Sequence, residues 1–394
     1  MDHRTATPVV GMVGGGQLAR MTHQAAIGLG QSLKILAAAP GESAALVAPN
    51  VEIGSHTDLA ALRAFASGCD AVTFDHEHVP PEHLRALAAE GVAVHPGPDA
   101  LLHAQDKLVM RNKLAELGLP VPPFAEVNGV GDVLEFGAEH GWPCVLKAAR
   151  GGYDGKGVWV LNTPDGAHRT VGELLEAGTP LMVEQSVALR RELAVLVARS
   201  PFGQGAAWPV VETVQSDGVC VQVLAPAPNT SEELGQRAQN IGLRIAEELG
   251  VVGVLAVELF ETSDGLVINE LAMRPHNSGH FSIEGARTSQ FEQHVRAVLD
   301  YPLGSTELTA PAVVMGNVLA APTEPRMGLD ERVHHLFARY PHAKIHLYGK
   351  TERPGRKVGH VNVLGDRMDE AREQARLAAH WLAHAEWPDG YSVH

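Results

Sequence analysis

The chain has 394 residues, 45% of them hydrophobic and 20% charged, with 31 Lys and Arg against 46 Asp and Glu for a formal net charge of −15. That length exceeds what one compact core organises, so two or three domains are expected, and the hydrophobic share argues against disorder. No run of 18 apolar residues is present, which excludes a helical membrane span, and an acidic balance without basic runs argues against a nucleic-acid partner.

Met1 to Pro8 is polar and leads straight into a strand, so no secretory leader is expected and the cytoplasm is the expected compartment. Val9 to Val13 reads as that strand, and Gly14-Gly-Gly-Gln-Leu-Ala-Arg-Met21 turns into a helix. The spacing Gly14-x-Gly16-x-x-Ala19 matches the phosphate-binding turn of a Rossmann-like unit. A second strand, Ser32 to Ala38, ends without the acidic residue that would hold a dinucleotide ribose, since Glu42 lies beyond Pro40. The fold is therefore expected without the nicotinamide cofactor. Asp58 to Ser67 has helical spacing, and Ala71 to Phe74 is a strand with Asp75-His-Glu-His78 at its C-terminal end. Ligands bind outside the carboxyl ends of such strands, which places Glu77 to touch one, although a solvated turn carboxylate reads equally from the spacing. Val92 to His95 reads as another short strand, and Pro96-Gly-Pro98 closes the first unit, 1–98.

Asp99 to Leu117 reads as one helix, on which Lys107 and Arg111 lie four apart and, from spacing alone, form a solvated face. After a helix over Val130 to His140, two apolar runs flank Lys147-Ala-Ala-Arg-Gly-Gly-Tyr-Asp-Gly-Lys-Gly157, which reads as a hairpin. Its glycines (Gly151, Gly152, Gly155, Gly157) and cations (Lys147, Arg150, Lys156) suit a polyphosphate cradle, or an ordinary glycine-rich surface turn. It is not a Walker loop. Pro180 to Val187 is an apolar strand interrupted by Glu184, Glu192 begins the next, and Ser231 caps a long helix ending near Leu249. Val254 to Phe260 and Gly265 to Leu271 form an antiparallel pair in which each apolar strand carries one acid, Glu258 and Glu270. Buried carboxylates must be paired or hold metal. With Asn269 beside them they suit Mg²⁺ completed by phosphate oxygens, or else a structural network with arginines. Arg274, His276, Asn277 and His280 follow in an irregular segment. From Pro302 short strands alternate with turns, Arg353-Pro-Gly-Arg-Lys-Val-Gly-His360 offers an anion clamp or a basic turn, and Asp369 to Ala385 is a terminal helix. The three cysteines, Cys69, Cys144 and Cys220, are too scattered for a disulfide framework.

In this order the motifs resemble the ATP-grasp superfamily and, within it, the 5-(carboxyamino)imidazole ribonucleotide synthases. The resemblance spans nearly the whole chain and is carried by Gly14 to Met21, Gln105-Asp-Lys107, Gly151 to Gly157, Val183-Glu-Gln185, Ile268-Asn-Glu-Leu271, His276-Asn-Ser-Gly-His280 and Arg353 to His360. It implies an α/β protein: a Rossmann-like pre-ATP-grasp domain (1–98), an ATP-grasp domain of two lobes (99–301) and a small β-rich C-terminal domain with a terminal helix (302–394). It implies ATP- and bicarbonate-dependent carboxylation of the exocyclic amine of 5-aminoimidazole ribonucleotide, with Mg²⁺, in a homodimer. By the same resemblance Lys107 and Lys147 contact ATP phosphates while Gly152, Gly155 and Gly157 close over them. Glu184, Gln185 and Val187 line the adenine, Glu192 the ribose, and Glu258 and Glu270 hold Mg²⁺ with Asn269 beside them. Gly15, Gly16, Gln17, Leu18 and Glu77 fall on the ribonucleotide side, with Arg353, Arg356 and Lys357 on its phosphate. Tyr153, Asp154, Lys156, Arg274, His276 and Asn277 surround bicarbonate and the reacting amine, and either Asp154 or His276 takes the proton. Asp75-His-Glu-His78 departs from the family's Glu-x-Glu-Asn, and Lys107 stands where arginine is frequent. A formate-using glycinamide ribonucleotide transformylase of the same superfamily and a nicotinamide-dependent oxidoreductase are the competing readings.

Overall fold

Val9–Val13, buried along its whole length, pairs in parallel with Ser32–Ala37 on one side and Ala71–Phe74 on the other. Val51–Ile53 completes this four-stranded parallel sheet. Strands covered on both faces have no polar alternation, and these read Val-Val-Gly-Met-Val and Ala-Val-Thr-Phe accordingly. The structure is a computed structural model that describes residues 1–2, 4–152 and 156–392.

A second sheet of four antiparallel strands runs in the order Phe124–Val127, Leu181–Gln185, Cys144–Ala148, Val158–Leu161. It forms a small lobe with its own apolar core, in which Val133, Phe136, Cys144, Leu146 and Val171 meet beneath helices Val130–His140 and Pro164–Glu176. The third sheet has nine strands and begins Gly265–Ala272, Gly253–Thr262, Arg191–Arg199, Val211–Ser216, Val219–Ala225. It continues without interruption through Ala312–Leu319, Lys357–Gly365 and Lys344–Leu347, so the C-terminal strands extend the sheet that begins in the large lobe. One apolar cluster joins the first sheet to this large lobe: Val13, Phe65 and Phe74 share it with Met110, Leu114, Val195, Ile268 and Met273. Burying each such side chain stabilises the fold by about 1.5–3 kcal/mol.

Three expectations change. Residues 99–117 form two helices, Pro98–Gln105 and Lys107–Glu116, because Asp106 leaves helical geometry (φ −133°, ψ 110°) to cap the second. Val92 to His95 contributes a single bridge, Val94 to Val72, and not a strand. Helix Leu329–Arg339 lies between the C-terminal strands, where strands and turns were expected; its apolar residues Leu329, Val333, Leu336 and Phe337 have helical spacing.

Candidate active site

At the first turn the glycine N–H groups are already satisfied from within the chain. Asp75 accepts from Gly16 N at 3.0 Å and Ala19 N at 2.7 Å, and Glu42 accepts from Gly15 N at 3.1 Å. A Cβ on Gly15 or Gly16 would lie 2.4 Å from Glu42 Oε2 or 2.2 Å from Asp75 Oδ2, so glycine is required by this approach. The carboxylates sit where a Rossmann turn would take a pyrophosphate. That is the physical argument against the nicotinamide reading. Gly15 and Gly16 therefore shape the site by letting two acids close in, and the side chain of Leu18 is spent in a cluster with Met21, Phe291 and Tyr348.

Beside this turn the ribonucleotide candidates do converge. Gln17 bonds Lys350, a cation that no sequence motif singled out. Glu77 accepts from Met273 N at 2.8 Å and Arg274 Nε at 3.2 Å, so it docks the segment after Gly265–Ala272 onto the first sheet. Lys357 and Arg274 both lie close enough to His276 to act on its charge. Arg353 and Arg356 are exposed on the adjoining loop, where Arg356 Nη1 donates to Thr351 O at 3.1 Å. The Asn277 side chain exchanges hydrogen bonds of 2.9 and 2.8 Å with Asn317, which fixes its amide and leaves one N–H and one lone pair for a ligand.

His276 is held by Gln290, whose buried amide takes both the main-chain N–H and C=O of His276 at 2.8 Å. Its Nδ1 accepts from Ser278 N at 3.4 Å and meets Ser278 Oγ at 2.8 Å, which puts the ring proton on Nε2, facing Glu258 Oε1 at 3.5 Å. Burial, then Arg274 and Lys357, push the imidazole pKa down to about 3, so it is neutral.

The cleft between the two lobes carries the other candidates. Glu258 and Glu270 are direct cross-strand partners, and the register slips just after them, Leu259 pairing with Ile268. Asn269 is the extra residue of this β-bulge, which re-aims side chains that strict alternation would separate. Consequently Asn269 Nδ2 reaches Glu258 Oε2 at 3.3 Å, while Glu270 Oε1 receives Lys107 Nζ at 2.6 Å. Glu258 retains 35% of its side-chain exposure. Burial, with Glu270 and Glu192 as like charges, raises its pKa to about 7. Glu192 stands diagonally on the neighbouring strand, and Gln215 bonds its carboxyl. Neither Gln215 nor Lys350 had a local sequence signature.

From the small lobe, Lys147 Nζ lies 2.7 Å from Glu184 Oε2 and 3.2 Å from Asn269 Oδ1. Burial lowers the Lys147 pKa while Glu184 opposes the shift. Arg111, expected on a solvated face, is instead 1% exposed, with Nε 2.5 Å from Glu184 Oε1. The helix that carries it lines the cleft floor. Burial disfavours the Glu184 carboxylate, but Lys147 and Arg111 outweigh it and hold the pKa below its ordinary value. So the Glu184 side chain, expected to line the adenine, is committed to buried ion pairs with Arg111 and Lys147. Gln185 donates to His140 O at 3.1 Å, and Val187 is half-buried in the segment that follows. The hairpin above closes through Ala148 N to Gly157 O at 2.8 Å, with Gly151 and Gly157 at φ +79° and +78°. A Cβ on Gly152 would meet Lys156 O at 2.8 Å. Arg150 Nε pairs with Asp106 Oδ2 at 2.7 Å, and Lys107 N donates to Ala149 O at 2.8 Å, anchoring the hairpin's base to the helix start. Tyr153, Asp154 and Gly155 lie outside the described residues.

Residues 8–105 match the ribonucleotide synthetase preATP-grasp domain, 112–291 the ATP-grasp domain, and 313–374 the phosphoribosylaminoimidazole carboxylase C-terminal domain. The N5-carboxyaminoimidazole ribonucleotide synthase of Mycobacterium tuberculosis is 61% identical over 98% of this chain and 90% of its own length. The crystal structure of the Thermus thermophilus synthetase superposes with a TM-score of 0.85 at 38% identity, covering 96% of this chain and 99% of that one. The synthase of Aspergillus clavatus in complex with ADP and 5-aminoimidazole ribonucleotide superposes with a TM-score of 0.85 at 32% identity, covering 95% and 98%. The three sheets are thus an ATP-grasp fold with its preceding and C-terminal domains, and the chain belongs to the N5-carboxyaminoimidazole ribonucleotide synthase family of ATP-grasp carbon–nitrogen ligases.

Proposed function

We propose that this chain carboxylates the exocyclic amine of 5-aminoimidazole ribonucleotide, using ATP and bicarbonate, in the cytoplasm and as a homodimer. The observation that carries the reading is the cross-strand Glu258–Glu270 pair facing Lys107 and Lys147, with the Gln17, Lys350, Arg274 and Lys357 cluster adjoining it. Among the described residues no helix is long and apolar enough to cross a membrane.

Two carboxylates that repel one another suit Mg²⁺, which takes few protein carboxylates and completes its shell with phosphate oxygens. Glu258 and Glu270 would hold it, and when bound it would neutralise charge on the transferring phosphoryl group. Lys107 and Lys147 bind and orient the polyphosphate, and the glycine hairpin covers it. Bicarbonate oxygen attacks the γ-phosphorus, the bond to ADP breaks, and carboxyphosphate forms. The amine nitrogen then bonds to the carboxyl carbon, phosphate leaves, and the amine loses one proton. Closing the hairpin excludes water from carboxyphosphate. A neutral His276 with its proton on Nε2 is poised to donate a hydrogen bond and is a poor acceptor, which favours Asp154 as the base. Lys350 and Lys357 take the ribonucleotide's anionic end, with Arg353 and Arg356 at its rim, while Arg274 stands with His276 beside bicarbonate and the amine.

The test is ADP release with bicarbonate plus 5-aminoimidazole ribonucleotide, against formate plus glycinamide ribonucleotide. Turnover with the first pair is expected. Turnover only with the second would overturn the proposal.

A further inference from the structure

Arg111 has no role in the chemistry above, yet it lies deeper than the lysines that meet the phosphates. It is 1% exposed, Glu184 3% and Lys147 8%. The two oxygens of Glu184 are divided: Oε1 takes Arg111 Nε at 2.5 Å, and Oε2 takes Lys147 Nζ at 2.7 Å. Arg111 Nη2 also donates to the main-chain carbonyl of Asn269 at 2.7 Å, the bulged residue whose side chain meets Lys147 at 3.2 Å. Arg111 therefore grips both partners of Lys147.

A buried lysine and glutamate by themselves make a neutral, strongly attracting pair. A second cation changes that balance. With Arg111 two positive charges share the one negative charge of Glu184, while the nearby Glu270 is itself paired with Lys107. Arginine suits the place because its planar fork serves a carboxylate and a carbonyl at once and it stays protonated. We propose that Arg111 is a positioning residue for nucleotide binding: by taking one oxygen of Glu184 and the carbonyl of Asn269, it shares the Glu184 charge with Lys147, so that the ammonium, though bonded to the other oxygen, keeps a net positive field for a polyphosphate. The inference rests on the reading of this cleft as the ATP site.

Calorimetric titration of the whole protein with ADP and Mg²⁺ tests it, in wild type, R111M, R111K, E184Q and the R111M/E184Q double variant. R111M is expected to weaken ADP binding about tenfold or more while the KM for the ribonucleotide moves by less than about twofold. R111K should bind ADP more tightly than R111M, because the charge is restored, and less tightly than wild type, because the fork is not. In the E184Q background, R111M should cost less than about threefold, because no carboxylate charge remains to neutralise Lys147. R111K binding no tighter than R111M, or a tenfold loss for the double variant relative to E184Q, would assign Arg111 to packing and overturn the proposal. The second comparison holds even where R111M alone does not fold. Equal rises in the KM for both substrates would overturn it as well. Wild-type protein that fails to bind ADP would instead overturn the nucleotide reading beneath the proposal, whereas wild-type binding with an unresponsive R111M would remove the role of Arg111 alone.

Discussion

Glu258 and Glu270 face each other across one strand pair, and the site's chemistry follows from what neutralises them. Glu270 has Lys107 at 2.6 Å, so Glu270→Gln removes a candidate cation ligand and leaves a neutral partner of the same shape. ADP release is expected to fall by about 10²–10³-fold with the circular dichroism spectrum unchanged. Turnover near wild type would take Glu270 out of the metal site. Glu258, with its pKa raised to about 7 by burial and by Glu270 and Glu192, gives a pH signature. The folded protein without ligand binds a proton there that the unfolded chain releases at its ordinary, lower pKa. That contribution to stability is complete below about pH 4.5 and is lost as pH rises through about 7. A cation bound beside Glu258 reverses the penalty. Addition of Mg²⁺ and ADP should therefore raise Tm more at pH 8 than at pH 6, and equal shifts at the two pH values would count against Glu258 as a cation ligand.

At the scale of elements, the glycine hairpin is held from below by the break between two helices. Asp106 accepts from Leu108 N and Val109 N at 3.0 Å each, and its other oxygen pairs with Arg150. One side chain thus caps a helix and tethers the hairpin. Asp106→Ala should cost about 1 kcal/mol of stability as a lost N-cap, measured by denaturant unfolding. It should also raise the KM for ATP without a matching change for the ribonucleotide. A Tm loss with both KM values untouched would show that the tether has no bearing on nucleotide binding. Helical periodicity across 99–117 could not reveal this break, since Asp106 is compatible with either a helix interior or a cap until Arg150 is placed.

At the scale of the molecule, the small lobe has a core of its own, whereas the first sheet and the large lobe share one. The small lobe meets the cleft floor through polar contacts, chiefly Arg111 and Lys147 to Glu184 and Asn269. Apolar cores resist opening together, while polar contacts exchange for water at little net cost. Amides of Cys144–Ala148, Val158–Leu161 and Leu181–Gln185 should exchange hydrogen faster than those of Arg191–Arg199 or Gly253–Thr262 in the unliganded protein, and slow when ADP and Mg²⁺ are added. Uniform exchange, unaffected by ADP, would argue against a separately moving lobe.

The sequence by itself determined the elements and their chemistry: the parallel first sheet, the Lys147 hairpin, the Glu258 and Glu270 strands, and the motif order that resembles one family. Those signals are local, because alternation, caps and glycine turns depend on residues a few positions apart. The tertiary structure decided what lies between distant residues. Arg111 meets Glu184 across 73 positions and Asn269 across 158, and Lys350 meets Gln17 across 333. Charge at helical spacing looks the same whether water or a carboxylate receives it. Asp75 and Glu42 filling the glycine turn, the bulge at Asn269, and the C-terminal strands extending the large sheet belong to the same class. Each is a pairing set by packing, which residue type and spacing do not encode.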